Sequence, residues 1–271
     1  MVIRELLRIS NPKSLRDAGF LLMQAANITK TELILGELEV SANAQAKYLE
    51  FLERYNGGEP IEYIVNSAEF FGHEFYVDRS VLIPRDETEL LVEVAIEALN
   101  SAKNPTIIDI GTGSGCIAIS LALALPTARV VATDISESAL EIARRNARDL
   151  GVADRIEFIC DDITNSTIDE IFNLIISNPP YIALGDEMVE PTVHQFQPHA
   201  ALYAGENGLE IYRHIVEFAG GQSRPPLLAF EVGYNQANAV AELIQASEKF
   251  YDIQKIPDLS GIERIVFAKF R

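Results

Sequence analysis

From Val2 to about Tyr55 the apolar residues recur three and four apart: Leu15, Ala18, Leu22 and Ala25, then Leu33, Leu35 and Leu38, then Tyr48, Leu49 and Leu52. That period predicts helices, with Ser14, Thr31 and Ser41 as N-caps. Asn56-Gly57-Gly58-Glu59-Pro60 then stops helix formation, so residues 1–60 are expected to form a small helical domain. Residues 61–84 are rich in Tyr, Phe and Val around Gly72, a β-hairpin pattern that reads as a bridge to the larger C-terminal part of the chain. A helix is expected from Thr88 to Asn100. Strand and helix patterns then alternate, with strands at Thr106–Ile110, Arg129–Thr133, Ile156–Cys160, Phe172–Ser177 and Leu227–Glu231. Tyr251–Ile256 and Ile262–Phe270 are two more strands with only a turn between them. Residues 85–271 therefore predict an α/β fold, a doubly wound seven-stranded sheet finished by an antiparallel last strand.

Composition narrows the partners. With 22 Lys and Arg against 40 Asp and Glu, the net charge of the 271 residues is −18. A surface that holds bare nucleic acid needs a basic excess, so a basic protein or a small neutral ligand suits this chain better. Its longest apolar run, Cys116 to Leu125, is far short of the ~20 residues of a membrane span. Arg4, Glu5 and Arg8 interrupt the N-terminal residues, so no signal-peptide core is expected there. Cys116 and Cys160 lie far apart, and the four histidines show no ligand spacing, so neither a disulfide nor a metal site is expected. A reducing cytoplasm is the expected location.

Candidate chemistry starts after the first sheet strand, at Asp109-Ile110-Gly111-Thr112-Gly113-Ser114-Gly115. The three glycines allow a tight turn and close approach of a ligand to the backbone. Asp134, ending the second strand, stands where an acid accepts hydrogen bonds from a ribose diol. Asp161-Asp162 at the next strand end offers an acceptor for an adenine amino group, with Ile163 as an apolar wall, or else caps the segment after it. A nucleoside-containing cofactor is indicated, although the loop alone does not separate NAD from S-adenosylmethionine.

Ser177-Asn178-Pro179-Pro180-Tyr181 comes directly after the fourth strand. Pro179 keeps Asn178 out of the helical region, and neither proline has an N–H. The Asn178 side-chain oxygen and the Pro179 carbonyl are then two acceptors able to grip the hydrogens of a planar NH2 group, with Tyr181 as a flat neighbour. Its nitrogen lone pair can point at the methyl of a sulfonium cofactor, and catalysis becomes largely a matter of positioning. Three other readings compete: an amino-methyltransferase acting on a nucleic-acid base, an NAD-dependent oxidoreductase, and a binding module without catalysis.

Taken together, the sequence resembles the release-factor glutamine N5-methyltransferases, the HemK/PrmC family. The resemblance rests on Gly58-Glu59-Pro60-Ile61-Glu62-Tyr63-Ile64, Glu69-Phe70-Phe71-Gly72, Leu82-Ile83-Pro84-Arg85-Asp86-Glu87-Thr88-Glu89, the glycine turn, Asn178 to Tyr181, Glu231-Val232-Gly233 with Gln236, and Asp258 to Arg264. It implies a class I methyltransferase sheet, an N-terminal domain that helps dock the substrate, and methylation of the glutamine in the Gly-Gly-Gln loop of class 1 release factors. It further implies that Gly111, Thr112, Gly113, Ser114 and Gly115 line the methionine end of S-adenosylmethionine, Asp134 takes its ribose, and Asp162 with Ile163 its adenine. Asn178 would meet both cofactor and substrate, and the substrate glutamine would lie against Asn178, Pro179, Pro180 and Tyr181. An acidic enzyme would attract a factor whose glycine-rich loop is basic enough to contact ribosomal RNA. Asp86 replaces the usual proline of Pro-Arg-Pro-Glu-Thr-Glu, and Ile163 stands where some members carry an aromatic ring.

Overall fold

The computed structural model describes residues 1–9, 13–185, 190–224 and 226–270. They form two compact units, Met1–Ser67 with Glu190–Phe196, and Ala68–Val189 with Gln197–Arg271.

The first unit contains α1 (Ile3–Ile9), α2 (Leu15–Ala26), α3 (Lys30–Leu35), α4 (Ala42–Asn56) and α5 (Ile61–Val65). Ser14 and Ser41 cap α2 and α4 by accepting from the N–H groups of Asp17 and Ala44. The cap of α3 is Thr29 rather than Thr31: its hydroxyl accepts from the Glu32 N–H, and the Glu32 carboxylate answers the Thr29 N–H at 2.7 Å. This reciprocal pair outcompetes a lone threonine inside the first turn. Ile3, Leu6, Leu21, Leu22, Tyr48, Leu52 and Ile64 make the core, while Leu15, Leu35, Leu38 and Leu49 of the helical pattern face outward. The hairpin pattern predicts extended chain from Ile61, but α5 occupies Ile61–Val65. Pro60 sits at its start, where a missing N–H costs nothing, and Asn66 closes it at φ 57°. Arg54 in α4 fixes that corner by a two-pronged bond to the buried Glu59 carboxylate, at 2.8 and 2.9 Å, and a third bond to the Tyr63 carbonyl.

The second unit begins with the hairpin β1 (Ala68–Phe70) and β2 (His73–Phe75), and continues with α6 (Asp86–Leu99). Phe71 and Gly72 both have positive φ, 50° and 73°, as a two-residue turn between twisted strands requires. After β3 (Thr106–Ile110) come α7 (Cys116–Ala124), β4 (Arg129–Asp134), α8 (Glu137–Asp149), β5 (Ile156–Cys160) and β6 (Leu174–Ser177). The helix α9 (Pro191–Phe196) belongs to the first unit. The chain then makes α10 (Glu210–Gly220), β7 (Leu227–Glu231), α11 (Ala237–Ala246), β8 (Phe250–Pro257) and β9 (Glu263–Phe270).

Seven strands lie in the order β5-β4-β3-β6-β7-β9-β8. All neighbours up to β7 pair in parallel, and β9 runs antiparallel to both β7 and β8. Successive residues serve opposite faces. Ile107, Leu174 and Ile176 enter one core with α6 and α7, whereas Ile108, Ile175 and Leu228 enter another with α10 and α11. Strand order reverses between β3 and β6, because β4 and β5 extend the sheet one way and β7 the other. Such a reversal leaves a crevice beyond the C-terminal ends of β3 and β6, where helices diverge to opposite faces. The glycine turn leaves β3 there, and Asn178 leaves β6 beside it.

Candidate functional site

Beyond those strand ends lies a cavity of about 400 Å³. Gly111, Thr112, Gly113 and Ser114 line it from the turn after β3, Asp134 from the end of β4, Asp162 and Ile163 from beyond β5, and Asn178, Pro179 and Pro180 from beyond β6. Four separate strand ends thus bring ten of the expected site residues to one wall.

The turn is held by backbone bonds that leave its outer face bare. The N–H groups of Gly111 and Thr112 donate to the Thr133 carbonyl at 2.9 and 2.8 Å. Gly111 and Gly113 have φ of 75° and 56°, and a Cβ built on either would meet nothing within 4 Å. Those two places are open for a ligand that needs backbone contact. Gly115 differs: a Cβ there would come within 2.9 Å of Ile119 Cδ1 and 3.1 Å of Ala143 Cβ, at φ 82°. It packs α7 against α8 and does not line the cavity. We expect Gly115→Ala to cost about 1–3 kcal/mol in stability. Thermal unfolding should show a clear fall in Tm, and an unchanged Tm would refute this packing role.

Asp134 accepts the Gly113 N–H on one oxygen and the Ser136 N–H on the other, both at 2.9 Å. Burial pushes its pKa up, and the N–H groups of Ser136, Gly113 and Ile135 work against that rise. Each oxygen keeps a further lone pair for a ligand hydroxyl. Asp162 uses its Oδ1 locally, accepting from the Thr164 N–H at 2.9 Å and the Thr164 hydroxyl at 2.8 Å, so it caps the next turn while still lining the cavity. These bonds lower its pKa. Sequence reasoning misses Ile135: it is 62% exposed and lines the cavity one residue after Asp134, so the apolar wall consists of Ile135 as well as Ile163. A large apolar side chain directly after a strand-ending acid is the signal that could have found it.

At the fourth strand end, the buried Ser177 hydroxyl donates to the Ile110 carbonyl at 2.6 Å and ties β6 to β3. Asn178 Nδ2 donates to Thr88 Oγ1 at 3.2 Å. Among the described residues, neither Asn178 Oδ1 nor the Pro179 carbonyl accepts a hydrogen bond. Both residues line the cavity. Tyr181 does not: its ring packs beside Gly233, and Gln236 Nε2 holds its carbonyl at 2.8 Å. Burial pushes the Tyr181 phenol up to about 12.

Three buried polar groups support the wall from behind. Asn146 binds Tyr76 through its N–H and carbonyl, at 2.8 and 3.0 Å, and the Ser114 carbonyl at 2.9 Å, joining hairpin, glycine turn and α8. Asp109 accepts the Thr112 hydroxyl at 2.6 Å, yet burial pushes its pKa up to about 7. Glu231 is buried, and burial likewise takes its pKa to about 7. Both carboxyls therefore keep a proton in the folded state at pH values where the unfolded chain has lost it. Their contribution to stability is fully present below about pH 4 and is lost as pH rises through about 7. For Glu231 it amounts to about 3 kcal/mol. Relative to wild type, Glu231→Gln should be more stable at pH 8 than at pH 5 by thermal unfolding, and a difference independent of pH would refute it.

Comparison with known proteins bears on this geometry. Residues 86–211 match the model of the methyltransferase small domain and residues 3–65 that of the PrmC N-terminal domain. A release factor glutamine methyltransferase of Burkholderia pseudomallei is 42% identical over 267 residues, 96% of this chain and 93% of the relative. The chain belongs to the release factor glutamine methyltransferases. Another member, from Moorella thermoacetica, is 38% identical over 254 residues, 93% of this chain and 90% of that one. The catalytic domain of hMettl16, solved in complex with the MAT2A 3'UTR hairpin 6, shares the fold at a TM-score of 0.59 and 14% identity, over 88% of this chain and 86% of that chain. The seven-stranded sheet of this release factor glutamine methyltransferase is of the class I type, and its cofactor is S-adenosylmethionine. The residues present suit that group. Two glycines leave bare backbone, an acid has spare lone pairs that a diol could use, and two isoleucines present an apolar face that would suit a flat ring. No helix among the described residues is long and apolar enough to cross a membrane, and no cluster of His, Cys, Asp and Glu among them could hold a metal.

Proposed function

We propose that this enzyme methylates the side-chain amide nitrogen of the glutamine in the Gly-Gly-Gln loop of class 1 release factors. One observation carries the reading: Asn178 Oδ1 and the Pro179 carbonyl, both without partners among the described residues, belong to residues that line the same cavity as the glycine turn and Asp134. Two fixed acceptors match the two hydrogens of a primary amide. An amide nitrogen is a weak nucleophile because its lone pair is delocalised, so aiming it is the main task of the site. Fixed positioning of this kind can be worth effective molarities of ~10⁵ M and more.

S-adenosylmethionine supplies an electrophilic methyl group when bound. Gly111 to Ser114 would hold its methionine end, Asp134 its ribose, and Asp162, Ile163 and Ile135 its adenine. Asn178 and Pro179 grip the glutamine amide, and Pro180 stiffens the corner. Tyr181 supports that corner from behind. With labelled cofactor, a wild-type release factor should be labelled, and one carrying Gln→Ala in its Gly-Gly-Gln loop should not. Equal labelling of both would overturn the substrate assignment. Calorimetry should show binding of S-adenosylmethionine and none of NAD.

A further inference from the structure

An Asn side chain can present either its oxygen or its NH2 to a ligand, and only the oxygen serves the amide-gripping role proposed above. Three buried or half-buried groups on three elements bear on that choice. Asn178 comes directly after β6, Thr88 lies in the first turn of α6, and Glu231 ends β7. Thr88 is 2% exposed and Glu231 3% exposed, and Glu231 Oε2 has no hydrogen-bond partner among the described residues. Asn178 Nδ2 reaches Thr88 Oγ1 at 3.2 Å. We infer that Thr88, itself on the cavity wall, and the Glu231 carboxylate orient the Asn178 carboxamide, holding its NH2 on Thr88 so that Oδ1 is left for a ligand.

The direction of the chain is set by what each group can do. An ionised carboxylate only accepts, so the Thr88 hydroxyl, one of the groups that favour the Glu231 charge, would turn its hydrogen toward that buried carboxylate. The Thr88 oxygen is then left as an acceptor, which only the Nδ2 side of Asn178 can satisfy. Thr88 and Asn178 are the two polar side chains that favour the charged form of Glu231, so all three groups act on one another. Rotating the amide by half a turn would set Oδ1 against Thr88 lone pairs and a buried carboxylate, all acceptors. Arg264 on β9 favours the Glu231 charge and Glu87 on α6 opposes it. Glu231 does not line the cavity, so it acts through Asn178 and is a positioning residue.

This inference rests on the Asn178 reading, and its test separates the two. Thr88→Val, Thr88→Ser and Glu231→Gln are assayed at pH 8.5 on the full enzyme, with Thr88→Val also placed in an Asn178→Ala background. Thr88→Val keeps the side-chain shape and should lower kcat about tenfold or more, with KM for the release factor and Kd for S-adenosylmethionine within about twofold. Thr88→Ser, which keeps the hydroxyl, should return kcat to within about threefold of wild type. Glu231→Gln can donate as well as accept, and should lower kcat about threefold or more. In Asn178→Ala, Thr88→Val should have no further effect, because there is no amide left to orient. Wild-type kcat in Thr88→Val beside a disabled Asn178→Ala overturns the orienting role alone, as does an equal loss in both backgrounds. Wild-type kcat in Asn178→Ala overturns the reading on which it rests.

Discussion

Asn178→Ala should lower kcat by about 10²–10³-fold while the affinity for S-adenosylmethionine stays within a few-fold of wild type. On the proposed reading, truncation removes one of two acceptors that would aim the amide nitrogen, and an aim fixed by one bond leaves the group free to turn about it. The Pro179 carbonyl survives in this variant, because Pro179 itself and the β6 register through Ser177 are untouched. A loss confined to kcat is the mark of an interaction that matters at the reacting centre rather than in binding. Turnover is measured with labelled cofactor and release factor, and cofactor affinity by calorimetry. Turnover within tenfold of wild type would remove Asn178 from the chemistry.

Asp134→Ala should weaken binding of S-adenosylmethionine by about 1.5–3 kcal/mol, one charged hydrogen bond's worth and roughly 10- to 150-fold in Kd. The upper part of that range is favoured by the structure. Asp134 also accepts the Gly113 N–H at 2.9 Å, so its loss slackens the turn as well as removing the proposed diol acceptor. Asp162→Ala should do much less, because the Asp162 carboxylate is already committed to Thr164 on Oδ1 and lies in more open surroundings. Calorimetric titration of both variants checks the order, and unaltered affinity in Asp134→Ala would discard the ribose assignment.

Periodicity located the main elements because burial acts on each element through its own repeat. The apolar run Leu174, Ile175 and Ile176 marked β6, and the closing strand pair needed only its turn, Pro257 to Gly261, to be recognised. The glycine turn and the Asn-Pro-Pro corner were legible for a related reason: their shape depends on backbone conformation, which glycine and proline write directly into the sequence, and Asp134 was legible from its place at a strand end. Short helices were harder to see. The five residues of α5 carry too few turns to show a period, and their Tyr and Ile suit a strand equally well.

What the sequence by itself determined was the doubly wound order of elements, the glycine turn after β3 and the Asn-Pro-Pro corner after β6. Only the tertiary structure decided which neighbours these residues meet. It placed Gly115 between two helices and Tyr181 behind Gly233, and it brought Thr88 and Glu231, 143 positions apart, to one buried corner with Asn178. Local pattern reports how a residue bends the chain or which face it shows. A carboxylate taken from water, or a carboxamide held one way round, is set by groups that distant strands deliver, and no local pattern records that delivery.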